Sequence, residues 1–123
     1  EMVKSMSKDA IIFAMANPNP EIDYDLAKLA GARVVGTGRS DYPNQINNIL
    51  VFPGLFKGLL ASRAKRVPNE IKLACAYAIA DIIKEDISET NIVPGVFDKR
   101  LNEALEKTVT ETVERLRKEN VYV

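Results

Sequence analysis

The chain reads as an α/β protein, the C-terminal half of a doubly wound parallel-sheet domain, rich in helix and ending in a long helix. Three observations predict this. Residues 10 to 16 (Ala-Ile-Ile-Phe-Ala-Met-Ala) are uniformly apolar, which suits a parallel strand covered on both faces. A second short strand-like stretch, Arg33 to Gly38, follows after one short helical segment, the spacing of a βαβ unit. Only two such strands are found among five helices or helical pieces, and two parallel strands alone do not make a stable sheet.

The elements follow in order. Residues 1 to 8 are polar and helical in character, read as the tail of a helix, with Asp9 marking the change to strand. Asn17-Pro18-Asn19-Pro20 stops the strand. Asp23 is a good N-cap for a helix over Tyr24 to Leu29, and Gly31 suits the left-handed residue just past its end. A polar loop leads from Arg39 to Ile46. Residues 47 to 62 read as a helix interrupted at Pro53-Gly54, and an interior proline would kink it at a cost of roughly 3 kcal/mol. The next helix, Glu70 to Lys84, is apolar on nearly all sides and predicts deep burial. Pro94-Gly95 is a turn. From Asp98 the last helix carries a stripe of Leu101, Leu105, Val109, Val113 and Leu116. Its outer face offers the i,i+4 pairs Glu103/Lys107, Glu111/Arg115 and Glu114/Lys118. This divides the chain into residues 1–97, half of a ligand-binding domain, and 98–123, a helical extension of the same domain.

Composition narrows the chemistry. Seventeen basic and seventeen acidic residues cancel among 123, so no net field draws nucleic acid or an anionic membrane. No run approaches the twenty apolar residues needed to cross a bilayer, and no secretory signal is visible, which predicts a cytoplasmic protein. The single cysteine, Cys75, lies among alanines as a small core residue. Without histidine the chain supplies neither a His-based triad nor a zinc site of its own. The first residue is Glu, which suggests a piece of something longer.

Function is sought beyond the carboxyl ends of the strands, where α/β sheets bind ligands. Two amide clusters fall there, Asn17-Pro18-Asn19 and Asn44-Gln45-Ile46-Asn47-Asn48. Either alone is ordinary turn or capping chemistry. Together, at successive strand ends, they form a paired site in which neutral carboxamides hold a carboxylate or hydroxyl. Gly36-Thr37-Gly38 is not a dinucleotide fingerprint, because position 41 is Asp and no helix follows; its glycines instead permit close approach. Glu21, Asp23 and Asp25 read as a loop and first helical turn, where acids belong, rather than as a metal cluster.

Ile12-Phe13-Ala14-Met15-Ala16-Asn17-Pro18, Gly38-Arg39-Ser40-Asp41-Tyr42-Pro43-Asn44-Gln45-Ile46-Asn47-Asn48 and Val51-Phe52-Pro53-Gly54 resemble the C-terminal part of the NAD(P)-binding domain of malic enzymes, closest to the short bacterial and archaeal type. The likeness runs through about residue 100; the charged last helix departs from it. The resemblance implies a Rossmann-type half-domain and oxidative decarboxylation of L-malate to pyruvate and CO2, with NAD or NADP and, in the complete enzyme, Mg or Mn. It further implies that Ala16 and Asn17 contact the cofactor, and that Asn17, Asn47 and Asn48 contact substrate. The catalytic and metal-binding residues of similar enzymes have no counterpart here. The partners implied are malate and pyruvate, the upstream part of the same enzyme and a second copy in a dimer. On this reading the chain alone is an inactive fragment. The alternatives are a non-catalytic interaction or regulatory module on the same fold, and an amino-acid dehydrogenase-like enzyme, which the Asn48 to Gly54 wording does not fit.

Overall fold

A computed structural model describes all of residues 1–123. In chain order it contains β1 (Ile11–Ala14), α1 (Tyr24–Leu29), β2 (Val34–Thr37), α2 (Phe52–Ser62), α3 (Asn69–Ile82) and α4 (Lys99–Lys118), with 3-10 turns at Val3–Ser5 and Asn48–Leu50. The chain divides into two compact units, one of Glu1–Asn47 with Glu85–Val93, the other of Asn48–Lys84 with Pro94–Val123.

In the first unit β1 and β2 pair in parallel, with Ile11 opposite Val34 and Ala14 opposite Thr37, and α1 is the crossover. The helix has the predicted ends. Asp23 accepts the Asp25 N–H at 3.0 Å, and Gly31 follows at φ +102°, where a side chain would be strained. Ala27, Ala32 and Val35 form a small buried cluster, with Val3, Ile12, Ile22 and Tyr24 packed against it. Burial of β1 on both faces is not found: Ile11 is 59% and Phe13 49% exposed. Nor do the first eight residues form a helix, only one 3-10 turn with no buried residue.

Gly36 is a point of close approach in this unit. A Cβ there would lie 2.5 Å from Ile46 Cδ1 and 3.2 Å from the Asn44 carbonyl oxygen. The glycine thus lets the loop after β2 fold back against the strand. The Ile46 N–H donates to the Thr37 carbonyl at 2.7 Å.

In the second unit α4 packs on both α2 and α3. Its stripe behaves as predicted: Leu101, Leu105, Val109, Val113 and Leu116 are each at most 2% exposed. Asp98 caps the helix by accepting the Arg100 N–H at 2.9 Å. The surface pairing differs from expectation. Lys107 and Arg115 pair with the residues four positions onward, Glu111 and Glu119, while Glu106 reaches Lys57 on α2 at 2.8 Å.

Pro53 does not kink α2. It sits in the first turn, where its missing N–H would have had no partner in the helix anyway. Gly54, expected only to interrupt the helix, and Gly58 lie one helical turn apart on α2, and both are buried. A Cβ on Gly54 would meet Leu105 Cβ at 2.5 Å and the Asn102 carbonyl at 3.0 Å; one on Gly58 would meet Val109 Cβ at 2.6 Å and the Glu106 carbonyl at 3.0 Å. Two glycines on one face let α2 and α4 approach backbone to backbone. On α3, Ile71 and Cys75 are buried, yet Leu73 and Tyr77 are largely exposed. The deep all-round burial predicted for that helix is therefore corrected to burial of one face.

Candidate functional site

Beyond the carboxyl ends of β1 and β2, a cleft of about 480 Å³ is lined by Asn17, Pro18 and Asn19 from one loop and by Gly38, Arg39, Ser40, Asp41 and Gln45 from the other. This is where an open parallel sheet presents ligand-binding groups. The two walls are built differently.

The first wall has few backbone donors, because Pro18 and Pro20 carry no N–H. The Asn17–Pro18 peptide is cis. Asn17 is exposed on the cleft wall, next to the exposed Ala16. Just beyond the β1–β2 ladder, the Ala16 N–H donates to Glu21 Oε2 at 3.1 Å. That bond, with further backbone N–H groups, holds the Glu21 carboxyl below its ordinary range. The loop bearing Asn17 is therefore tied at its base by an ionised side chain.

The second wall is fastened by side chains. Arg39 grips Asp41 through two bonds, Nε–Oδ1 at 2.9 Å and Nη2–Oδ2 at 2.6 Å. The fork lowers the Asp41 pKa and raises that of Arg39. The Arg39 guanidinium also lies over the Tyr42 ring, 5.4 Å from its centre. Tyr42 stacks on Tyr24 at 4.8 Å, and its hydroxyl donates to Asp25 at 3.3 Å. The negative charges of Asp25 and Asp23 push the phenol pKa up. Buried Thr37 receives the Arg39 N–H on its hydroxyl at 3.2 Å.

The second amide cluster separates into different roles. Asn44 is buried, at φ +57°. Its Nδ2 donates to the carbonyls of Val35 at 3.0 Å and Glu89 at 2.8 Å, and its Oδ1 accepts the Ile92 N–H at 3.0 Å. All of this carboxamide is spent on holding the first unit together. Gln45 and Asn47 both donate toward the Gly38 carbonyl, at 3.5 and 3.4 Å. Asn48 is exposed and opens the 3-10 turn that begins the second unit.

Of the predicted residues, Asn17 stands on the cleft. Gln45 of the second amide cluster lines it too, whereas Asn47 and Asn48 do not; Arg39, Ser40 and Asp41 were not expected there, although the run of polar residues directly after a strand was the available signal. No group of three acidic, histidine or cysteine side chains is placed to hold a metal ion. The three candidate acids have other work: Asp23 caps α1, Glu21 binds Ala16, and Asp25 accepts from Tyr42. No helix is long and apolar enough to cross a membrane.

Comparison with known proteins gives a consistent result. The family described as "Malic enzyme, NAD binding domain" matches residues 1–115. A bifunctional malic/malolactic enzyme of Bacillus subtilis is 56% identical over 110 residues, covering 89% of this chain and 27% of that protein. An NAD-dependent malic enzyme of Geobacillus stearothermophilus is 51% identical over 127 residues, covering 100% of this chain and 26% of that protein. The crystal structure of a malic enzyme from Pyrococcus horikoshii superposes with a TM-score of 0.87 at 47% identity, over 98% of this chain and 27% of that one. The chain thus spans about a quarter of the length of these relatives.

Proposed function

Because the chain belongs to the malic enzyme family, within its NAD-binding domain, we propose that it forms the C-terminal half of the NAD(P)-binding domain of an enzyme that oxidatively decarboxylates L-malate to pyruvate and CO2. The observation that carries this reading is the cleft at the ends of both strands, with Asn17 on its wall, inside the matched segment. Residues 1–97 are then the half-domain and 98–123 its helical extension, and the family match continuing to residue 115 supports a single domain.

NAD or NADP supplies the hydride acceptor when bound. The chain's own contribution is orientation. Ala16 and Asn17 border the nicotinamide ribose, and Asn17, Asn47 and Asn48 hydrogen-bond the substrate's carboxylate and hydroxyl. Carboxamides fix the C2 hydrogen without adding charge, and such fixing of reactants is worth orders of magnitude in rate. Among the residues of this chain no ligand set fits Mg or Mn, so metal binding is assigned to the remainder of the enzyme, and the family likeness assigns acid–base chemistry there as well. The chain by itself is inactive: with malate, Mn and either cofactor it should form no NAD(P)H, and turnover by pure material would overturn that. The complete enzyme is proposed to be a cytoplasmic dimer. The non-catalytic alternative has no observation in its favour.

In the complete enzyme, Asn48→Ala should lower kcat/KM for malate by about 1–3 kcal/mol of transition-state binding, the cost of leaving a buried partner unpaired. Steady-state kinetics decide it. Wild-type values in that variant remove Asn48 from the substrate site.

A further inference from the structure

We propose that Glu21 is a positioning residue of this site, whose carboxylate fastens the Ala16–Asn17 loop and so sets the direction in which Asn17 presents its carboxamide to the cleft. The inference rests on the reading of Asn17 as a substrate and cofactor contact. Three observations carry it. The β1–β2 ladder ends at Ala14 opposite Thr37, so β2 offers the residues beyond it no ladder bonds. Their replacement is the bond from the Ala16 N–H to Glu21 Oε2, one residue before Asn17. Downstream, Pro18 and Pro20 remove two of the backbone donors with which the loop could fasten itself in another way.

Glu21 also stands two residues before Asp23, the N-cap of α1. The clamp therefore joins the end of a strand to the entrance of a capped helix. Asn17 inherits its position from both. A carboxylate accepting backbone N–H groups is stronger than a neutral acceptor. Glutamine at this position keeps one carbonyl oxygen for the Ala16 N–H, and alanine keeps none.

The experiment uses the complete enzyme carrying Glu21→Ala, Glu21→Gln, Asn17→Ala and the double variant Asn17→Ala/Glu21→Ala. Glu21→Ala is expected to lower kcat/KM for malate about ten-fold, the loss of one charge-assisted hydrogen bond. Glu21→Gln should recover most of that loss. Because Glu21 acts through Asn17, Glu21→Ala should have little further effect once Asn17 is alanine. Hydrogen exchange of the peptide spanning residues 11–20 should quicken in Glu21→Ala and stay slow in Glu21→Gln. Additive losses in the double variant, or a Glu21→Gln enzyme as impaired as Glu21→Ala, would overturn the proposal. Wild-type kinetics for Asn17→Ala would instead bring down the reading of Asn17, while exchange would still report whether the clamp exists.

Discussion

The two units of this chain solve opposite problems. The second closes its own core: five consecutive stripe positions of α4 are buried, and Gly54 and Gly58 bring α2 against that helix. The first has a core of two alanines and a valine, and leaves Ile11, Phe13 and Met15 of the β1 region half exposed or more. This unit is also fastened by side chains bonded to backbone, namely Asn44 on Val35, Glu89 and Ile92, Glu21 on Ala16 and Thr37 on Arg39. One region is held by volume, which is insensitive to direction. The other is held by directional bonds, which can aim side chains into a cleft.

The contrast can be broken in descending order of effect, each test made in the complete enzyme. Leu105→Ala, at 0% exposure against Gly54, should destabilise the second unit by about 3 kcal/mol through lost burial and the cavity left behind. Hydrogen exchange of α4 amides measures it, and unchanged exchange would mean that this helix is not the unit's core. Asn44→Ala should cost about 2 kcal/mol, since it strands two carbonyls and one N–H. Its signature is faster exchange in residues 85–93 with α4 unaffected; loosening of α4 as well would erase the distinction between the units.

The smallest effect is electrostatic. Arg33 holds the Glu89 carboxyl below its ordinary range, through a hydrogen bond and then through charge. A carboxylate with a depressed folded pKa contributes stability that is present above its unfolded value and is lost as pH falls through the folded value. Exchange protection of residues 85–93 should therefore weaken slightly in acid, below the usual glutamate range. Because both side chains are about half exposed, added salt should shrink the effect. Glu89→Gln should abolish the pH response, and a response that survives this substitution would assign it to another group.

The sequence disclosed the elements whose signals are local. Asp23 and Gly31 bracket α1 at its observed ends, and the stripe from Leu101 to Leu116 is the buried face of α4. Pro53 was misjudged because a shift of a few residues in the helix start turns an interior proline into a first-turn one. The exposure of Leu73 and Tyr77 shows that apolar composition does not say which face of α3 has a neighbour. In the site, Asn17 was legible because it follows an apolar run directly. Asn44 looked like one more amide in its cluster. Its role depends on the Glu89 carbonyl and the Ile92 N–H, 45 and 48 residues further along the chain, and spacing carries no trace of such partners.

Asn44 also bears on how this protein ages. Asparagine slowly loses its side-chain amide to hydrolysis, leaving a carboxylate. At this position the change would replace a donor NH2 by an oxygen aimed at the Val35 and Glu89 carbonyls, turning two attractions into repulsions inside a buried site. So long as the fold holds, those same bonds keep the carboxamide from swinging onto the following peptide nitrogen, the route by which such damage begins. The residue that fastens the first unit is thus shielded by the structure it fastens, and a molecule that opens there long enough to be altered would not close again in the same form.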